Sequence, residues 1–225
     1  MSRRSPRAAA AVAFSLGFGM WASGASAQSA LAQSPLNNFI EVLVVDRELL
    51  AFDAFGTKNF RTRLELEEEV IWSAAQGLVG VVITTRRALA VTPGASDWQA
   101  VNWRASEEPV DAAVLGDRLA LLSTHLRVLA FDSLAGAWFQ ENVGPGEEVS
   151  ALRAGQNSGV VVTNRRALGI GPDARGFFDT RLRLHEDIEH VNADANLATI
   201  MTSERVLVFR SQAGSWSEHA RRIHR

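Results

Sequence analysis

One period governs the chain. Leu50, Leu89, Leu129, Leu168 and Leu207 recur at intervals of 39, 40, 39 and 39 residues, and the text around them repeats as RELLAFD, RRALAVT, LRVLAFD, RRALGIG and ERVLVFR. Other columns keep register with them. Five residues before each Leu stand Val45, Thr84, Thr124, Thr163 and Thr202. Nine or ten after stand Phe60, Trp98, Trp138, Phe177 and Trp216; nineteen before stand Leu31, Val70, Val110, Val149 and Ile188. A period of this length marks stacked supersecondary units, none of which can bury its apolar surface alone.

Each unit reads as four short strands. In the third copy the first strand is predicted over Val110 to Leu115, with a turn at Gly116-Asp117. The second runs from Leu119 to Thr124 and opens on the apolar run LALL, the signature of a strand buried on both sides. A turn at His125-Leu126 leads to a third strand, Arg127 to Phe131. A glycine-bearing loop from Ser133 to Ala137 precedes the fourth strand, Trp138 to Val143. Asp46, Thr85, Asn164 and Ser203 begin the matching second turns, where short polar side chains bond the local backbone. Four strands in about 40 residues leave no room for a helix.

A four-stranded sheet with two apolar faces is sealed by stacking copies around an axis. The expectation is an all-β, five-bladed β-propeller, with repeats at about 28–66, 67–106, 107–145, 146–184 and 185–225. The register begins on a first strand and ends on a fourth, so no blade is shared between the termini. Ring closure would then rest on packing between blades one and five, with an open or domain-swapped assembly as the alternative. Pro35 interrupts copy one, and Pro does not suit a central strand position.

The segment from Arg127 to Trp138, RVLAFDSLAGAW, resembles the third-to-fourth strand passage of kelch and related propeller repeats. There an apolar strand ends in Asp, a Gly-containing turn follows and a Trp opens the outer strand. The kelch double glycine and the Trp-Asp pair of WD repeats are missing. The resemblance therefore implies the fold and carries over no active site.

Residues 1–27 read as a signal peptide cleaved after Ala27. Arg3, Arg4 and Arg7 form a basic start, Ala8 to Ala22 an apolar stretch, and Ala25-Ser26-Ala27 a small-residue cleavage site. The expected location is periplasmic or secreted, with no transmembrane segment after cleavage. Losing three Arg from 23 basic residues leaves 20 against 25 acidic ones, so the net charge moves from −2 to −5. That balance argues against a nucleic-acid partner. With no Cys, the chain has neither disulfides nor a thiol nucleophile.

Three constellations invite a functional reading. Glu68, Glu108, Glu147 and Glu186 precede Arg87, Arg127, Arg166 and Arg205 by 19 residues, while copy one carries Ser29 and Glu48 in those columns. Each Glu should meet its Arg on one rim, as a salt-bridge belt or, if the guanidinium groups are free, as an anion-collecting binding rim. Asp111, Ser150 and Glu189 share a first-strand column, Arg153 lies three residues on and His190 adjoins Glu189. Such channel-facing polar groups could hold a calcium ion or act as an acid and base, or simply satisfy one another. Trp72 and Trp103, which no repeat column demands, are candidates for stacking on a sugar ring. No catalytic set, cofactor motif or metal-ligand spacing emerges. The leading expectation is a binding or scaffolding module that docks a protein partner of the bacterial envelope through a rim. A carbohydrate- or anion-binding lectin-like propeller is second, and a glycan-active hydrolase third.

Overall fold

The computed structural model describes residues 38–56, 58–109, 112–172 and 174–221, all within the second of two compact units, Leu36–Arg225. Every regular element among them is a β-strand, and no helix there is long and apolar enough to cross a membrane. Blade one contributes β1 (Ile40–Val45), β2 (Glu48–Asp53) and β3 (Asn59–Arg63). Blade two is β4 (Val70–Gln76), β5 (Val79–Thr84), β6 (Arg87–Val91) and β7 (Gln99–Asn102). Blade three is β8 (Ala112–Leu115), β9 (Leu119–Ser123), β10 (Arg127–Asp132) and β11 (Ala137–Asn142). Blade four is β12 (Val149–Ala154), β13 (Gly159–Thr163), β14 (Arg166–Ile170) and β15 (Phe178–Arg181). Blade five is β16 (Ile188–Ala193), β17 (Leu197–Thr202), β18 (Arg205–Arg210) and β19 (Ser215–Ala220).

Each blade is an antiparallel meander whose sheet order follows the chain, so the five sheets stack as the blades of a β-propeller. Blade one shows three strands among the described residues. The first strand expected around Leu31 lies outside them, as do the signal peptide, Pro35, Val110 and Asp111.

The period explains the core. The two middle strands of each inner blade are buried on both sides; all of β9 and β10, from Leu119 to Ser123 and from Arg127 to Asp132, is closed to solvent. Alternate residues seal opposite joints. Leu122, Leu129 and Phe131 pack toward blade two with Val81, Ile83, Ala88 and Ala90, whereas Leu121, Val128 and Ala130 pack toward blade four with Val161, Leu168 and Ile170. Burying both faces of a strand is worth about 1.5–3 kcal/mol for each large aliphatic side chain. The repeated aromatics belong to these joints: Phe60 and Trp98, Trp138, Phe177 and Trp216 pack in successive interblade clusters. Trp138 and Trp216 also donate their indole N–H to the preceding blade, at Gln99 O (3.0 Å) and Phe178 O (2.8 Å).

At the inner ends of the blades, the turns between first and second strands pack backbone on backbone. Leu78 N donates to Asp117 O and Asn157 N to Ala195 O, both at 2.7 Å. A Cβ on Gly116 would lie 2.0 Å from Gly155 O, and one on Gly155 would lie 2.2 Å from Asp194 O. Glycine is required there by contact with the next blade, not by its own turn.

Candidate binding surface

The belt of Glu and Arg forms, and it straps each blade to the one before. In blade two, Arg87 donates from Nε to Glu68 Oε1 (2.9 Å) and from Nη2 to Glu68 Oε2 (3.1 Å). Blade four repeats the fork with Arg166 on Glu147 (2.8 and 3.3 Å), and blade five with Arg205 on Glu186 (2.8 and 2.9 Å). Blade three differs from the spacing expectation. Its partner for Arg127 is Glu107 (2.9 and 2.8 Å), not Glu108, which stays exposed. The reason is one extra residue between Glu107 and Ala112: five positions separate that pair, against four from Glu68 to Trp72 and from Glu147 to Ala151, which hold the same ladder positions. Counted from the Leu column, the register points at Glu108; counted from Glu68 at the period of 39, it points at Glu107.

Three further contacts complete each strap. The Thr column accounts for itself: Thr84, Thr124, Thr163 and Thr202 donate Oγ1–H toward the carboxylates of Glu68, Glu107, Glu147 and Glu186 at 2.7–2.8 Å. The second carboxylate oxygen accepts the backbone N–H three residues earlier, from Glu65, Arg104, Gly144 and Arg183. That loop closes through a left-handed residue just before the acid: Glu67, Ser106, Gly146 and His185, with φ of 62°, 64°, 67° and 67°. Finally, each Arg Nη2 reaches the last residue of the preceding blade's outer strand, at Arg63 O, Asn102 O, Asn142 O and Arg181 O (2.7–3.2 Å). Copy one lacks the apparatus: Val45 stands in the Thr column, and Glu48 pairs within the blade with Arg61.

The electrostatics follow from these contacts. Burial alone would raise the four carboxyl pKa values. The donors from Arg, from the backbone N–H and from Thr outweigh it and hold Glu68, Glu107 and Glu147 below the usual range and Glu186 at about 2. The guanidinium groups are correspondingly committed. Arg127 and Arg205 have side chains only 4% and 7% exposed, so the rim Arg residues are joints of the fold, turned inward from any anion in solution. Arg87 and Arg166 are more open, but their forks are filled in the same way.

Of the channel candidates, Ser150 and Glu189 occupy a β-bulge. The ladder slips between Val149 and Ala151 and between Ile188 and His190, as it does between Val70 and Trp72. The extra residue is unpaired and turned out, which is why polar residues and the 52%-exposed Ile71 share one column. Ser150 Oγ donates to Val162 O (3.1 Å), Glu189 is paired with Arg221 Nη1 (2.5 Å), and His190 is exposed. Asp111 lies outside the described residues. Among the described residues no group of three His, Cys, Asp or Glu is placed to hold a metal ion.

Trp72 and Trp103 both pack against the cluster between blades two and three, and Trp103 Nε1 donates to Thr84 O (2.8 Å). Trp103 does belong to a repeat column, with Leu64, Val143, Leu182 and Arg221; their backbone N–H groups bond the equivalent turns at Arg86, Arg47, Leu126, Arg165 and Glu204. The column is legible in the sequence at intervals of 39, 40, 39 and 39.

A cleft lies along the first strands of blades three and four. It encloses about 530 Å³. Val114, Val149 and Leu152 line its floor, and His125, Ser150 and Arg153 stand among its polar residues. Ala112, Ser150 and Arg153 are exposed there.

No protein-family model and no curated protein matches the chain. Solved structures similar to it include human WBSCR16 (10% identity, TM-score 0.40, over 67% of this chain and 50% of that one). Residues 644–1017 of HIRA match with 10% identity and a TM-score of 0.40, over 83% of this chain and 56% of that one. Prp20p from Saccharomyces cerevisiae, a protein with binding properties toward Gsp1p and histones, matches with 9% identity and a TM-score of 0.41, over 77% and 56%. The chain thus spans about half the length of these proteins.

Proposed function

We propose that the chain is an exported binding module of the bacterial envelope that docks a protein partner in the first-strand cleft of blades three and four. The cleft itself carries this reading: an apolar floor of Val114, Val149 and Leu152 edged by a few hydrogen-bonding groups on rigid strands is the composition of a recognition site. Its volume of about 530 Å³ suits one or two side chains of a docked segment. The rim Arg residues expected to carry binding are consumed by the straps, and the cleft takes their place. The signal-peptide pattern of residues 1–27 supports an envelope location.

The test is comparative capture from envelope extract. A partner held by the native chain is expected to be lost with Ala112→Arg or Arg153→Glu, both at exposed positions that leave the core untouched. Retention of the partner by both folded variants, or binding to a carbohydrate array that neither variant disturbs, would move the site elsewhere.

A further inference from the structure

The two ends of the blade stack carry the two halves of a joint that the chain builds four times. In blades two to five one set of columns faces the preceding blade: Val82, Leu89 and Val91; Leu122, Leu129 and Phe131; Val161, Leu168 and Ile170; Ile200, Leu207 and Phe209. All twelve are at most 1% exposed. In blade one the same columns hold Leu43, Leu50 and Phe52, with Val45 beside them. Leu43, Val45 and Phe52 are 41%, 47% and 38% exposed. The opposite set faces the following blade; in blade four it is Val160, Val162 and Ala167. Blade five carries Thr199, Met201, Val206 and Val208 on that side, with Leu197 at 45% and Met201 at 37% exposure.

Among the described residues, then, neither terminal side is sealed as the inner joints are. Charge complements shape. Glu41, exposed on blade one, stands in the column that is Gly80, Ala120, Gly159 and Ala198 elsewhere, and exposed Arg210 lies at the same strand end of blade five. A filled joint would set a carboxylate against a guanidinium where the inner joints use small residues.

We infer that the apolar side of blade five receives blade one of a second copy of this chain, head to tail. Such contact is heterologous: it closes into a ring of copies or continues as a filament, according to the turn per copy. It lacks the Glu–Thr–Arg strap, since copy one carries none of it among the described residues, so the joint between copies is weaker than the four within a chain and is reversible.

Sedimentation of the chain as its host produces it, over a wide concentration range, should show mass rising with concentration. Phe52→Lys spoils one side and Met201→Lys the other; each alone should raise the self-dissociation constant by about tenfold or more. An equimolar mixture should recover dimers, because each variant keeps the side the other lacks. With no native Cys to compete, Leu43→Cys combined with Met201→Cys should give chains linked to one another on oxidation. A native chain that stays monomeric throughout, mixing that recovers nothing, or a disulfide closed within one monomer would each overturn the inference, the last by showing that blade five covers blade one of its own chain.

Discussion

At the scale of single residues, the strap is a small set of groups that satisfy one another. A buried ion pair is poor evidence of net stability, because desolvation offsets much of the attraction. Removing one member is a different matter. Arg127 would be left charged and closed to solvent, so Glu107→Ala is expected to cost about 3–5 kcal/mol. Glu108→Ala, one residue along and exposed, should stay within about 0.5 kcal/mol. Urea unfolding with an unchanged slope separates the two. Equal effects would contradict the pairing. The partnership of Glu and Arg was legible in the sequence because both are side chains at a near-constant separation. The carbonyls of Arg63, Asn102, Asn142 and Arg181 were not, since a backbone acceptor has no letter of its own.

At the scale of elements, two irregularities decide what spacing alone could reveal. The stretch from Glu107 to Ala112, entering β8, holds one residue more than its counterpart from Glu68 to Trp72, and that single insertion moved the expected acid from Glu107 to Glu108. The bulges that start β4, β12 and β16 free one residue per blade from the in–out alternation, so the column of Ile71, Ser150 and Glu189 carries exposed residues of mixed kind. Strand positions, by contrast, were readable almost to the residue: β9, β10 and β11 each lie within one residue of expectation, because the period fixes them four times over. Hub contact gives a further expectation. Gly116→Ala must push backbone aside at Gly155 and should destabilise the fold by about 1–3 kcal/mol, whereas Gly94→Ala meets nothing within 4 Å and should be near neutral. Calorimetric midpoints of the two variants test this; a Gly116→Ala midpoint equal to that of the native chain would mean the turns stand further apart.

At the scale of the molecule, four straps with one chemistry should titrate together. Each carboxyl has a folded pKa below its ordinary 4.5, so its contribution is fully present above pH 4.5 and is lost as pH falls toward the folded value, about 2 for Glu186. The midpoint of thermal unfolding should therefore be flat from pH 7 to about 5 with respect to these groups and decline steadily between pH 4.5 and 2. Glu186→Gln should flatten part of that decline. A native profile level down to pH 2.5 would show that the unfolded chain keeps the same proton affinities.

The strap also redraws the unit of construction. Its acid sits in the loop ahead of a blade, its Thr and Arg within that blade, and its last acceptor at the tip of the blade before. Cut just after that acceptor, at Asn102 and again at Asn142, the chain yields a cassette bearing its own acid, hydroxyl and guanidinium while offering a fresh carbonyl to whatever comes next. Spliced in tandem, such cassettes would need no new chemistry at their seams, and only the guanidinium of the first would find no carbonyl of a preceding blade to hold.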